Sequence, residues 1–441
     1  MKWMTIFFLF ISFNLHAVED LKNGPMLGAG KMKGVSIWLQ TKVSATVYLK
    51  YRKLGTSKYS SSEKITTEKK TAFVAQFDLS LLEPNTTYEY EIYQNRKKLK
   101  HDFPLTFTTQ KLWQWRTDPP DFSLAIGSCL FINEKKYDRP GNTYGGEYFI
   151  LDSIADKKPN LMLWLGDNVY FREVEYDSKA GMFHRYTHSR DIPEMKRLLR
   201  TVHNYAIWDD HDYGPNDTDK SYVHKNDALE AFKLFWANPN YAQGQKNAGI
   251  YGQFQWSDID FFLLDDRYYR DANGIEHREK DYFGKKQIDW LINALKRSQA
   301  PFKVIASGGQ VLSPAKVYEN YANYEKERSK LLSILEKEKI SGVVFLSGDR
   351  HHTVITKIPR GKKSYPLYDI TVSPLTSGSF PLRKSEQHSY QIKKTIVSER
   401  NFAILSFSGE RENRVLHIAD YNSKGEKLWD YKITASELSY K

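Results

Sequence analysis

Leu161-Met-Leu-Trp-Leu-Gly-Asp-Asn-Val-Tyr170 decides the architecture. An unbroken apolar run reads as a strand buried on both faces, and Gly166-Asp167 stops it abruptly. The same pattern recurs in Phe122-Ser-Leu-Ala-Ile-Gly-Ser-Cys129, Tyr205-Ala-Ile-Trp-Asp209, Asp260-Phe-Phe-Leu-Leu-Asp265, Lys303-Val-Ile-Ala-Ser-Gly308 and Val343-Val-Phe-Leu-Ser-Gly-Asp349. Helices are expected between them, near Glu147 to Asp156, Asp227 to Trp236, Lys285 to Lys296 and Glu325 to Lys337. Strands alternating with helices predict an α/β core whose sheets are covered on both faces.

Outward from this core the pattern changes. Residues 25–110 alternate as half-buried strands do, as in Val35-Ser-Ile-Trp-Leu-Gln40 and Tyr88-Glu-Tyr-Glu-Ile-Tyr93. Leu82-Glu-Pro-Asn-Thr-Thr-Tyr-Glu-Tyr90 resembles the turn and tyrosine strand of fibronectin type III-like sandwiches. This small all-β sandwich is expected as a separate domain, joined through residues 110–121 to a catalytic domain over 120–435. Phe402 to Phe407, Val415 to Ala419 and Leu428 to Ile433 return to strands, expected to complete a second sheet. Residues 1–17 read as a secretory signal: Lys2, the apolar run Ile6 to Phe13, then the small-residue site Leu15-His16-Ala17. The run is too short to span a bilayer, and no later stretch is long and apolar enough to do so. Export to the periplasm or outside the cell is therefore expected, without a transmembrane segment.

Composition narrows the partners. The net charge of +12 is spread along the chain and favours anionic substrates or a peripheral contact with an anionic surface. No nucleic-acid module accompanies it, so no stable nucleic-acid partner is expected. Cys129 is the only cysteine, so no intrachain disulfide can form. A lone thiol in an exported chain is either an inert core residue or a metal ligand or nucleophile.

The carboxyl ends of strands are where open α/β sheets bind ligands. Here those ends can bring Cys129, Asp167, Asp210, His211, Asn216, Asp349 and His351 into one crevice. Carboxylates gathered there repel and lose hydration, at several kcal/mol per buried ion. Cations relieve this best, and mixed O, N and S donors suit a transition metal beside a harder ion. Two metals about 3.5–4 Å apart clamp the attacking and leaving oxygens of a phosphate ester. His184, His188, His203 and His224 are read as solvated, and His352 as structural.

Gly127-Ser-Cys129, Leu165-Gly-Asp-Asn-Val-Tyr170, Trp208-Asp-Asp-His-Asp-Tyr-Gly-Pro-Asn-Asp217, Leu264-Asp-Asp-Arg267 and Ser347-Gly-Asp-Arg-His351 stand in this order. Together they resemble the alkaline phosphatase D family of calcineurin-like metallophosphatases, from about residue 25 to beyond 400. The resemblance implies a four-layer αββα core. It implies Fe(3+) held by Cys129, Asp167, Tyr170 and His351, with Asp167 bridging to Ca(2+) shared with Asn216 and Asp349. Asp210 and His211 would lie beside the phosphate or help a further cation. Arg267 would neutralise substrate charge or brace the site. Phe171 stands where the family carries an acidic residue.

The expected activity is hydrolysis of phosphate mono- or diesters, on a small molecule or an anionic polymer, by attack of a metal-bound hydroxide. The rival reading is a non-catalytic binding protein with a structural metal site and a glycan- or polymer-binding β-module. A structural site would be closed, whereas a catalytic one keeps an open position.

Overall fold

The computed structural model describes residues 21–361 and 363–440. The signal expected at residues 1–17 lies outside them. The apolar runs form strands as expected, and their order across the sheets explains the rest of the molecule. One sheet has nine strands, in the order Lys427–Thr434, Val415–Asn422, Asn401–Ser408, Phe122–Gly127, Leu161–Leu165, His203–Ile207, Leu21–Lys31, Gly34–Thr41 and Val74–Leu79. Its centre is parallel, with Leu163 paired to Ile126 on one side and Tyr205 on the other. A second sheet has six strands, in the order Gly252–Trp256, Ile259–Leu263, Lys303–Ala306, Val343–Ser347, Leu367–Thr371 and Val354–Ile358.

The two sheets face each other across aromatic side chains. Tyr205 stacks on Phe254 with ring centroids 3.8 Å apart, and Phe261 meets the edges of Phe122 and Phe407. The helices Ile150–Asp156 and Pro193–Thr201 bury Ile154 and Leu198 on the outer side of the first sheet. Lys285–Arg297 and Glu325–Lys337 bury Leu291 and Leu335, and Trp290 of the former packs against Phe262. This is the four-layer αββα arrangement, a mixed α/β fold. Among the described residues, no helix is long and apolar enough to cross a membrane.

Both ends of the chain extend the first sheet. The C-terminal strands were expected to complete a second sheet, but Asn401–Ser408 pairs antiparallel with Phe122–Gly127 in the first. Phe402, Ala403, Leu405 and Phe407 are fully buried, so this segment needs cover on both faces and a strand on either side. At the other edge, Leu27 pairs with His203 in parallel. Leu21–Lys31, Gly34–Thr41 and Val74–Leu79 therefore present one face to the main core. Their other face closes on Thr46–Lys53 and Thr87–Gln94 around Ile37, Leu49, Phe77 and Ile92. His203 is not solvated: it is buried at that junction, with Nδ1 2.9 Å from the Gly28 carbonyl and its ring against Trp256.

The two sheets touch at the carboxyl ends of their parallel strands. A Cβ on Gly348 would lie 2.6 Å from Ser128 Cβ and 2.7 Å from the Leu165 carbonyl. One on Gly308 would lie 2.5 Å from Asp209 Cγ. Only glycine permits this approach, which brings the polar strand ends of both sheets to one rim.

Asn204 fastens the N-terminal strands to this core. Its Oδ1 accepts from Trp164 Nε1 at 3.0 Å, and its Nδ2 faces the carbonyls of Leu27, Leu199 and Val202 at 3.1, 3.0 and 2.7 Å. Asn204→Ala strands a buried indole N–H and several carbonyls, each worth about 1–3 kcal/mol. The expected loss is roughly 3 kcal/mol in urea unfolding. A change under about 0.5 kcal/mol would show that the junction does not depend on this side chain.

Candidate metal centre

Five residues at the rim hold their backbone in the left-handed region, and none is glycine: Cys129 (φ 62°), Asp167 (φ 50°), Asp217 (φ 59°), Asp349 (φ 65°) and His351 (φ 55°). Such conformations cost on the order of 1–3 kcal/mol each, and they gather where a site requires them. Here the twist breaks each strand and turns its terminal side chain into the gap between the sheets. Neighbouring backbone holds it there. Cys129 N–H donates to the Gly166 carbonyl at 3.2 Å, Leu130 N–H to the Asp167 carbonyl at 2.8 Å, and His351 N–H to Ser373 Oγ at 3.0 Å.

Asp167 is the centre of the arrangement. Its Oδ2 lies 3.1 Å from Tyr170 Oη and 3.6 Å from Cys129 Sγ, and its Oδ1 accepts from His211 N–H at 3.3 Å. Donor atoms of Cys129, Asp167 and His351 lie within 4.8 Å of one another, and so do those of Asp167, Asp210 and His211. Asp167 therefore belongs to two adjoining donor clusters. His351 Nδ1–H donates to the Gly378 carbonyl at 2.5 Å, which leaves Nε2 with a free lone pair 3.4 Å from Tyr170 Oη. The His211 ring stacks on Tyr170 at 4.2 Å. Asn216 and Asp349 line the same open pocket of about 240 Å³.

The electrostatics show what is missing from the protein's own charges. Burial, then the charge of Asp210, holds Asp167 well above the usual carboxylate range. Burial raises Asp349 and Asp209 as well, and lifts Asp212 to about 7 and Asp217 to about 6. It pushes the Cys129 thiol up to about 11, and burial with the Asp167 charge drives the Tyr170 phenol higher than its ordinary value. His211 and His351 are lowered by burial and stay neutral. So the thiol and phenol protons stand between Asp167 and its neighbours, in the place a cation of high charge would take. Thiolate, phenolate, imidazole and carboxylate donors fit such an ion, and carboxylate and amide oxygens beside them fit a harder one.

Arg267 is placed differently. It is fully buried behind the pocket floor, with Nε 2.6 Å from Asp209 Oδ1 and Nη1 2.5 Å from Glu319 Oε2. Arg270 bonds the same Glu319. Burial would raise Glu319, but the two guanidinium groups outweigh it and hold the carboxyl below its ordinary range. Arg267 therefore braces the site and does not open onto it. The sequence reading missed Glu319, Tyr144 and Glu386, and left Arg350 without a role although it stands inside the Ser347–His351 motif. Arg350 Nη2 is 2.7 Å from Glu386 and Nη1 3.1 Å from Asp349, and its guanidinium lies over the Tyr318 ring. Glu319 and Tyr144 come from loops and Glu386 from the single 3-10 turn Lys384–Glu386, segments with no periodicity to mark them.

The family model for PhoD-like phosphatases matches residues 125–418, two thirds of the chain and every strand end just described. The chain belongs to the PhoD-like phosphatase family. Among solved structures, PhoD is similar over 95% of this chain and 92% of its own, with a TM-score of 0.74 at 16% identity. A purple acid phosphatase, PPD1 from yellow lupin (Lupinus luteus) seeds, is similar over 93% of this chain and 74% of its own, with a TM-score of 0.69 at 12% identity. At these identities the likeness is one of fold. A comparison with curated protein sequences finds no match. This PhoD-like phosphatase is a metal-dependent phosphoesterase, and the two clusters meeting at Asp167 are where its side chains can hold metal.

Metal removal exposes the charge argument to a test. Carboxyls raised by burial favour the folded state below their unfolded pKa of about 4, and that stability is lost as pH rises through the folded values. Asp217, Asp266 and Asp212, at about 6, 6 and 7, set the upper edge of the window. The metal-stripped protein should lose stability between about pH 4 and 7, read as falling urea midpoints, and added metal should restore it. Midpoints that stay flat or climb would refute the reading. Metal analysis gives a second check: Asp167→Ala should lose all bound metal, and Asn216→Ala only part.

Proposed function

We propose that this phosphatase is an exported enzyme that hydrolyses phosphate mono- or diesters at a centre of Fe(3+) and Ca(2+). The observation that carries the proposal is the shared carboxylate: Asp167 belongs at once to a Cys129/Tyr170/His351 cluster and to an Asp210/His211 cluster. The first cluster, with its thiol and phenol, suits a ferric ion, and the second side, with Asn216 and Asp349, suits calcium. When bound, such ions polarise water and stabilise charge on a phosphoryl group.

The protein's own residues do the rest. Asp167 and Asp349 are held by left-handed turns after their strands, and Asp210 opens the short helix Asp210–Tyr213, so all three are oriented before substrate arrives. The neutral His211 is fixed by its stack on Tyr170 and faces the pocket with one nitrogen able to donate to a phosphate or leaving-group oxygen. Arg267 holds Asp209 in place behind it. The pocket is open beside these carboxylates, as catalysis requires and a closed structural site does not. No side chain is needed as a covalent nucleophile, because the thiol is buried among donors with its proton directed at Asp167. The basic surface would draw an anionic substrate, and export follows from the signal read at residues 1–17.

Purified holoenzyme should release p-nitrophenol from an aryl phosphate monoester, an aryl diester, or both, and Asp167→Ala should abolish it by about 10³-fold or more. A metal-replete protein that turns over neither ester would overturn the assignment. The metals have an optical signature. Thiolate or phenolate bound to ferric iron gives a visible charge-transfer band, which Cys129→Ser and Tyr170→Phe should each move. A colourless active enzyme would rule out iron but leave the hydrolase standing.

A further inference from the structure

A second hollow, of about 1350 Å³, adjoins the metal pocket and shares Tyr144, His211 and Asn216 with it. Its volume exceeds what a bare phosphate monoester needs. Its lining carries Lys135 and Lys136, exposed on the loop after Phe131, with Arg139 and the deeper Arg172, beside the acids Asp138 and Glu173.

Arg172 is the unusual member. It is 8% exposed, its Nε–H donates to the Tyr170 carbonyl at 3.2 Å, and its guanidinium lies 5.2 Å from the centroid of Phe131. Its backbone N–H donates to Glu175 Oε2 at 2.8 Å, but among the described residues no carboxylate lies within 4.0 Å of its guanidinium nitrogens, and neither Nη atom has a hydrogen-bond partner. The other buried arginines differ. Arg185, Arg267, Arg270 and Arg414 each hold a carboxylate, and Arg190 bonds two backbone carbonyls within a cage of aromatic rings. The acidic neighbours of Arg172 point elsewhere: Glu173 pairs with Arg139 at 2.7 Å, and Asp138 accepts from Glu134 N–H at 2.6 Å, so their charges reach Arg172 only at a distance. The stem of Arg172 is buried, but its two terminal amines keep contact with solvent, and Arg172 lines the hollow, where an anion can take the place of water.

We propose that Arg172, with Lys135 and Lys136, forms an anion subsite for a second phosphate carried on the substituent of the ester. The inference rests on the phosphoesterase reading and deepens it, because it names the kind of ester preferred. The paired Nη atoms suit a phosphate as a fork, and the lysines add charge without geometry. The bond from Arg172 to the Tyr170 carbonyl fixes the subsite relative to the metal centre. Arg172 thus acts as a specificity residue: it selects esters with a second negative charge placed beyond the scissile phosphate.

The test compares two diesters with the same leaving group on metal-loaded enzyme: thymidine 5′-(p-nitrophenyl phosphate), with and without a 3′-phosphate. The wild type should favour the 3′-phosphorylated ester by roughly tenfold in kcat/KM, about 1.4 kcal/mol. Arg172→Met should bring the ratio close to one, and Arg172→Lys should keep part of it. Arg172 packs on Phe131 and its loss can disturb folding, so the exposed pair Lys135→Ala/Lys136→Ala gives a second reading and should lower the ratio and its salt dependence. If wild type and variants cleave both esters with one unchanged ratio, the subsite is refuted while the phosphoesterase reading stands. If the metal-loaded wild type cleaves neither diester but releases p-nitrophenol from an aryl phosphate monoester, the subsite alone falls; if it cleaves none of the three, the phosphoesterase reading fails and the subsite falls with it.

Discussion

The structure depends on a charge problem at one rim. Asp167, Asp209, Asp210 and Asp349 follow the ends of apolar strands; Asp167, Asp210 and Asp349 line the pocket, and Asp209 is buried behind it. Two solutions operate side by side. Behind the pocket, Arg267 and Arg270 answer Asp209 and Glu319 with permanent charge from within the protein. In front, among the described residues no guanidinium pairs with Asp167 or Asp210, and the Cys129 thiol and Tyr170 hydroxyl donate to Asp167 instead. This division separates scaffold from site. Cations built into the chain fix the floor, and removable cations suit the surface where chemistry occurs.

The fold serves that division. The apolar runs have to be strands buried on both faces, and alternation with helices forces the sheets inside. Gly308 and Gly348 then let the two rims approach more closely than any side chain would allow. The left-handed turns at Cys129, Asp167, Asp349 and His351 do the final aiming. Strain of this kind persists only where surrounding bonds over-determine it: backbone or hydroxyl partners tie Cys129, Asp167 and His351, and the Arg350 guanidinium ties Asp349.

Much of this was legible in the sequence. Buried strands announce themselves as apolar runs, and their polar ends name most of the pocket. The helix Glu325–Lys337 fell where its periodicity put it. What was hidden was pairing. Nothing in Phe402 to Phe407 says which sheet it enters, because burial on both faces is satisfied in either. Nothing local to Leu27 says that it meets His203, so the β-rich N-terminal stretch reads as self-contained although three of its strands continue the central sheet. Glu319 was invisible for a related reason: its partners, Arg267 and Arg270, lie some fifty positions away, and loops carry no period. His203 misled because a polar residue in an ordinary segment reads as solvated until its cover is known.

The lone cysteine brings these levels together. A thiol raised to about 11 by burial is no nucleophile at neutral pH, and with no second cysteine it cannot form an intrachain bridge. Left as core filler it would not need a left-handed backbone, a hydroxyl donor from Ser373 at 3.1 Å, or a carboxylate 3.6 Å away. Each of these makes sense if the proton is temporary. A cation in that place would meet thiolate, phenolate, carboxylate and a neutral imidazole together, and the carboxylates that repel one another at the rim would then face a positive charge. Donors already aimed at one point are what such a site requires, and the turns at the strand ends supply that aim.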